Sequence, residues 1–210
     1  RRYFINIVGK YGVQVQNLLK KAAGLDIAMI CPLHGPVLKE NLGYYIGLYD
    51  TWSSYRPEEP GIVIASASIH GNTMKAAQEM AEILRGKTDV PVKVYDLARD
   101  DMALVIAEAY RYDRLVLAAA SYDGGVFLCM EDFLTHLKYK AFQNRKVGLI
   151  ENGTWAPSAG RVMKGYLDEM KNLQVCDTMV TIRSTMKPED REAMESLRTS
   201  CSRRRQCRCT

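Results

Sequence analysis

At 210 residues the chain has the length of one domain plus an extension. Its composition, 47% hydrophobic and 25% charged, supplies a packed core and excludes wholesale disorder, a collagen repeat and a coiled coil. The net charge of +5 points at first to nucleic acid, but the tail after Arg198 carries four arginines and no acid, so removing it takes the charge from +5 to +1. A nearly neutral body has no electrostatic footprint for DNA or RNA.

Three of the cysteines (Cys31, Cys129, Cys176) are dispersed through apolar stretches, and three (Cys201, Cys207, Cys209) crowd into the tail. No CxxC pair occurs, which argues against zinc ribbons and thioredoxin-like chemistry. No apolar run approaches the ~18 residues of a membrane span, so no membrane association is expected. A reducing cytoplasm with free thiols is the default expectation. The chain opens on Arg1 rather than Met, and its first residues have the character of a fold interior, so a fragment is expected.

From about Lys10 to Ala23, Val15, Leu18, Leu19 and Ala22 fall on one face at helical spacing, with Gly24 as the stop. Asp26 to Ile30 is a short strand candidate running into a turn bracketed by Pro32 and Pro36. Leu42 to Tyr55 is aromatic-rich and helical, ending in the linker Arg56-Pro57-Glu58-Glu59-Pro60. Two helices and one strand cannot close a core alone, so this piece needs the next domain or further sequence to cover it.

From Gly61 onward strands and helices alternate. GIVIASA is a strand and Thr73 to Arg85 a helix; PVKVYDL is a strand and Met102 to Tyr110 a helix. DRLVLAAA and the helix Phe127 to Leu137 follow, then KVGLIEN and the helix Ala159 to Met170. Val175 to Ile182 is the last strand and Pro188 to Leu197 the last helix. Near-continuous apolar strands separated by helices mean a parallel sheet covered on both faces. The expected fold class is α/β, a flavodoxin-like doubly wound five-stranded parallel sheet in order 2-1-3-4-5.

In such a sheet ligands bind outside the carboxyl ends of the strands that flank the switch in strand order. The loops there are SASIHGNT, ASYDGGVF and ENGTWAPS. The first joins a buried strand to a helix N-terminus, where backbone N–H groups and the helix dipole make an anion cradle. Ser68, Asn72 and Thr73 can add hydrogen bonds to phosphate oxygens; the plain alternative is a strand–helix turn capped by Asn72 or Thr73. The second combines Tyr122 with a glycine pair and the third offers Trp155, and two aromatics at the sheet edge suit a flat heterocycle between them. A phosphate cradle beside two such loops fits a mononucleotide, and FMN is the usual tenant of this architecture. Rival phosphate signatures fail: Gly86-Lys87-Thr88 has Ala81 where a Walker loop needs glycine, and it ends a helix rather than starting one. No GxGxxG follows any strand.

From Tyr3 to about Leu197 the sequence resembles the carboxyl-terminal part of the flavodiiron proteins, also called A-type flavoproteins. The match is carried by Ile30-Cys31-Pro32-Leu33-His34-Gly35-Pro36-Val37, by Tyr49-Asp50-Thr51-Trp52-Ser53-Ser54-Tyr55, by Ser66-Ala67-Ser68-Ile69-His70-Gly71-Asn72-Thr73, and by Asn152-Gly153-Thr154-Trp155. The HGPV turn shortly before a flavodoxin-like domain is the specific part; the phosphate loop alone is shared with flavodoxins generally. The resemblance implies a multidomain oxidoreductase in which a metallo-β-lactamase-like domain holds a diiron centre that reduces oxygen or nitric oxide, and a flavodoxin-like domain feeds it electrons through FMN. It implies residues 1–57 as the end of the first domain with its linker and 58–198 as the flavin domain. The tail over 199–210 has no hydrophobic periodicity and does not resemble that family's ending; a basic, disordered end is expected, the alternative being an appendage for an anionic partner.

Carried onto this chain, the resemblance implies that Ser68, Ile69, His70, Gly71, Asn72 and Thr73 hold the FMN phosphate. Ser121, Tyr122, Asp123, Gly124 and Gly125, with Asn152, Gly153, Thr154, Trp155 and Ala156, would flank the isoalloxazine. His34 matches a final iron ligand, but only within a full-length parent, because the other ligands are not in this chain and its three histidines, His34, His70 and His136, share no metal-binding spacing. It further implies a redox donor, rubredoxin-like or an NADH-linked reductase, and head-to-tail pairing of subunits. No catalytic acid–base constellation is found. Two other readings stay open: a flavin-dependent reductase of small molecules, and a non-catalytic flavodoxin-like module.

Overall fold

The structure, a computed structural model, describes residues 1–202. Cys207, Cys209 and the arginines of the expected disordered tail lie outside the described residues.

The strands are β1 (Glu59–Ala67), β2 (Val92–Asp96), β3 (Tyr112–Tyr122), the two-residue β4 (Gly125–Val126), β5 (Lys146–Asn152) and β6 (Gln174–Ile182). Five of them form a sheet in order β2-β1-β3-β5-β6, with every pairing on that path parallel. This is the flavodoxin-like order expected from the alternation of apolar strands and helices. β4, not anticipated, folds back antiparallel on the end of β3.

Strand alternation sorts the core into two layers. Val63, Ala65, Leu115, Leu117, Val147 and Leu149 face one side, under helices α4 (Met102–Arg111), α5 (Leu128–Tyr139) and α6 (Ala159–Asp168). Ile62, Ile64, Val116, Ala118, Ile150 and Val180 face the other, under α3 (Asn72–Arg85) and α7 (Pro188–Ser202). Helix α7 runs past the boundary expected at residue 198, because Cys201 is buried against the same layer.

The segment before the sheet opens with a π-helical stretch, Phe4–Val8, and continues through a 3-10 turn into α1 (Gly12–Ala22) and, later, α2 (Leu42–Ser53). It finds its cover on the sheet domain: Phe4, Ile5, Val15 and Trp52 are buried in the same cluster as the first face of the sheet. The Phe4 and Trp52 rings lie 5.2 Å apart. Two local expectations fail. Leu18 is 64% exposed, because the inner stripe of α1 runs through Val15 and Leu19 and Leu18 falls beside it. Residues 26–30 form no strand; only a single antiparallel bridge joins Ile30 to Leu38, since two prolines and Gly35 at φ +135° interrupt any longer ladder.

Arg145 locks this segment to the sheet. Its buried guanidinium donates to the carbonyls of Tyr112 (2.7 Å), Tyr55 (2.8 Å) and Gln143 (2.9 Å), and also to that of Tyr110. Burial lowers its pKa to about 10, and carbonyl dipoles take the place of water around the charge. Among the described residues no helix is long and apolar enough to cross a membrane.

Candidate functional site

The three loops singled out in the sequence leave the sheet side by side. Ala67 of β1 is in register with Ala119 of β3, and Ala120 is in register with Asn152 of β5. The chain therefore exits β1 and β5 at nearly one level, with β3 running on between them to Tyr122, at the place where the strand order reverses between β1 and β3.

The first loop ends in an open helix start. Gly71, at φ +88°, turns the chain in the left-handed region that a side chain rarely adopts. The Ser68 hydroxyl accepts from the Gly71 N–H at 3.0 Å and tightens the loop. Lys75 N–H is the donor to the Gly71 carbonyl, so the N–H groups of residues 72–74 precede the helical ladder, and no side chain caps α3. Neither alternative cap, Asn72 or Thr73, closes it. Ser68 and Thr73 are buried, whereas Ile69 and His70 are exposed. Among the described side chains, Ser66 Oγ at the end of β1 is the buried polar atom without a partner.

The second loop is a two-residue hairpin between β3 and β4. Asp123 at φ 47° and Gly124 at φ 71° form it, an Asp-Gly pair suited to the mirror-image turn that matches strand twist. Tyr122 packs edge-on against Phe127, ring centroids 5.8 Å apart, and remains 41% exposed.

The third loop is anchored from below. Asn152 Nδ2 donates to the Ser184 carbonyl at 2.9 Å and Oδ1 accepts the Ser184 N–H at 3.0 Å, so both ends of that amide are engaged within the fold. Gly153 N–H donates to the Ile182 carbonyl. Glu151, buried, accepts from the Gly160 N–H and the Thr181 hydroxyl, both at 2.8 Å. Above these anchors Trp155 stands 88% exposed, with Thr154 and Ala156 also exposed beside it.

The second and third loops are bonded together. Ser121 Oγ accepts the N–H groups of Ser158 (2.8 Å) and Ala159 (3.1 Å), and Ser158 Oγ donates to the Gly125 carbonyl at 2.6 Å. Sequence reading named Ser121 but missed Ser158, Glu151, Phe127 and Ser184. Ser158 alone carried a signal, as a serine directly before a helix.

The result is one edge of the sheet that carries an uncapped helix start on its first loop and an exposed aromatic side chain on each of the other two. Its polar groups suit an anion with an attached flat ring, and the open backbone at Gly71, with nothing within 4 Å of its missing Cβ, leaves room for close approach. Cys129 sits half-buried in the first turn of α5, where burial pushes its thiol up, so it is not a thiolate nucleophile at neutral pH. His34 is exposed in its turn with its ring 5.5 Å from that of Tyr3. Among the described residues no group of three or more His, Cys, Asp or Glu side chains could hold a metal ion.

No protein-family model matches the sequence. Over 173 residues it is 24% identical to an anaerobic nitric oxide reductase flavorubredoxin of Pectobacterium atrosepticum, covering 80% of this chain and 34% of that protein. The rubredoxin oxygen:oxidoreductase of Desulfovibrio gigas superposes with a TM-score of 0.88 at 20% identity, over 96% of this chain and 50% of the other. A flavodoxin from the domain Archaea gives a TM-score of 0.59 at 17% identity, over 67% of this chain and 96% of its own length. The chain thus spans 34% of the flavorubredoxin and 50% of the solved oxidoreductase. It is similar in sequence to the flavorubredoxins and in fold to the flavodiiron proteins, as its motifs implied, and its sheet is flavodoxin-like.

Proposed function

We propose that this chain binds FMN in the three-loop cleft and serves as the electron-transfer module of a flavodiiron-type oxidoreductase. The observation that carries the reading is the register of the strand ends, which brings an uncapped helix start and the loops of Tyr122 and Trp155 to one edge of the sheet. The free backbone N–H groups at the start of α3, those of Asn72 and Thr73 among them, hold the phosphate, with Ser68, Ile69, His70 and Gly71 forming the loop around it. Tyr122 and Trp155 lie against the ring system, and backbone groups of 123–125 and 153–156 line its edge. When bound, the isoalloxazine supplies one- and two-electron transfer. The protein's own part is to orient the ring, shield it from water and leave one edge open.

In a longer parent, residues 1–57 close a metallo-β-lactamase-like domain, His34 ligates iron there, and the electrons reduce oxygen or nitric oxide. A rubredoxin-like or NADH-linked donor and head-to-tail pairing of subunits belong to the same proposal, as does a cytoplasmic setting.

The test is titration of the purified chain with FMN, followed by flavin absorbance and tryptophan fluorescence, with iron measured on the same sample. One FMN per chain, with Trp155 fluorescence quenched, is expected. A folded chain, shown so by circular dichroism, that leaves the flavin spectrum unchanged sinks the proposal. Stoichiometric iron in this chain would overturn the assignment of His34 to a parent domain.

A further inference from the structure

Away from the cleft, the two buried cysteines meet. Cys176, near the start of β6, and Cys201, in the last turn of α7, have their Sγ atoms 2.9 Å apart. Three features accompany their meeting. The register between β5 and β6 slips between Val147 and Leu149, bulging β6 around Cys176. Gly148 on β5 leaves the space that Cys201 fills: a Cβ there would lie 2.9 Å from the Cys201 sulfur. Helix α7 continues past Leu197, and both thiols are then enclosed with Val180, Met194 and Leu197.

We propose that Cys176 and Cys201 are a redox-active thiol pair, which hydrogen peroxide converts to an intrachain disulfide and a dithiol reductant restores. The sulfurs need to approach by less than an ångström to reach the ~2.05 Å of a disulfide bond. The hydrogen bond from Cys201 lowers the Cys176 thiol to about 7, with smaller help from Ser200 and the charge of Lys146, while burial and Asp177 oppose it. Cys201 is pushed up by the same contact. Cys176, the more exposed of the two at 8% against 4%, is the nucleophile: its thiolate attacks one peroxide oxygen, the O–O bond breaks, and the departing oxygen leaves as water after taking a proton. The sulfur of Cys201 then attacks the sulfenic sulfur of Cys176, the S–S bond forms, and a second water leaves with the remaining proton. Two thiols and one peroxide give one disulfide and two waters. Access comes through α7, which is the last described helix and covers the pair from the outside of the sheet.

The experiment uses the full chain, treated with hydrogen peroxide, blocked with an alkylating reagent and digested with trypsin without reduction. Cleavage separates Cys176 (peptide 172–183), Cys201 (199–203) and Cys207 (206–208). The expected result is a cross-linked peptide joining 172–183 to 199–203, lighter by about 2 Da than its two reduced parts and lost on treatment with dithiothreitol. It should persist in a Cys207→Ser/Cys209→Ser variant and vanish in Cys201→Ser. The oxidised chain should melt roughly 5–10 °C higher, since the bond closes a loop across the last strand and helix. Recovery of both cysteines as alkylated thiols overturns the proposal, as does a disulfide confined to Cys207 and Cys209. Because wild-type mapping decides the matter, a variant that fails to fold does not protect it.

Discussion

Ser121, near the end of β3, caps α6, the helix that follows β5: its Oγ accepts the N–H groups of Ser158 at 2.8 Å and Ala159 at 3.1 Å. Ser158, at the N-cap position of α6, makes no side-chain cap of its own, so the hydroxyl of Ser121 serves both the helix and the joint between two site loops. Gly153 is drawn into the same joint, since a Cβ there would lie 3.0 Å from Ser121 Oγ and 2.9 Å from Pro157. Ser121→Ala leaves two N–H groups without their acceptor and should cost about 1 kcal/mol of stability, the usual worth of a cap. If the loops carry the flavin together, FMN affinity should fall roughly tenfold, equivalent to about 1.4 kcal/mol. Fluorescence titration and thermal melts on the same variant separate the two effects. Unchanged affinity with lowered stability would remove this joint from the site.

Gly71 allows a sharper test, because its effect depends on the phosphate. A Cβ there meets nothing within 4 Å, so Gly71→Val acts chiefly through the backbone, which sits at φ +88°. Forcing a β-branched residue into the left-handed region costs roughly 1–2 kcal/mol, and relief of that strain swings the first N–H groups of α3 away from the cleft. FMN should therefore bind at least tenfold more weakly, while riboflavin, which has no phosphate, should bind as it does to the wild type. Equal losses for both ligands would place the phosphate elsewhere.

How much of this was legible depended on whether a residue's partner is local. Strands such as Lys146–Asn152 announce themselves by composition, and their order follows from the helices between them. The three loops were likewise visible, because glycine and hydroxyl residues concentrate at strand ends. What escaped depends on distant partners. Asn152 looks like a ligand group in sequence, yet both ends of its amide bind Ser184. Glu151 looks like an ordinary strand residue, yet it is buried and holds Gly160 and Thr181. Residues 26–30 have strand composition but no neighbour to pair with beyond one bridge. The extension of α7 depends on Cys201 meeting Cys176 across 25 residues of chain, which no local pattern records.

Arg145 joins the segment before the sheet to the sheet itself without a carboxylate. Its charge is satisfied by carbonyls of Tyr55, just before the linker, and of Tyr110, Tyr112 and Gln143. Arg145→Met keeps much of the volume but leaves these acceptors unanswered, and buried groups without partners cost about 1–3 kcal/mol each. A loss of at least 3 kcal/mol is expected in urea unfolding. Arg145→Lys should recover only part of it, since an ammonium cannot reach both sides of the fork. A full rescue by lysine would show that charge, not geometry, holds the linker.

Glu58 makes the same junction sensitive to acid. Burial disfavours its charged form, but hydrogen bonds from Arg1 and from the Trp52 indole outweigh that and hold the carboxyl below its ordinary value of 4.5. The indole nitrogen donates to Oε1 at 2.6 Å and Arg1 Nη2 to Oε2 at 2.9 Å. A carboxyl whose pKa is lower when folded than when unfolded binds fewer protons in the native state. The unfolded chain then takes up protons first as the solution is acidified, so stability falls with pH. The contribution is complete above the unfolded value of about 4.5 and drains away as pH drops through the lower folded value. Glu58→Gln keeps the shape and one acceptor for Trp52 but loses the ion pair, and should cost about 1–2 kcal/mol at pH 7. As pH falls below 4.5 and through the lowered folded value the variant and the wild type should converge, which chemical denaturation at a series of pH values would read directly. A difference that does not narrow on acidification would mean that Glu58 acts through packing rather than charge.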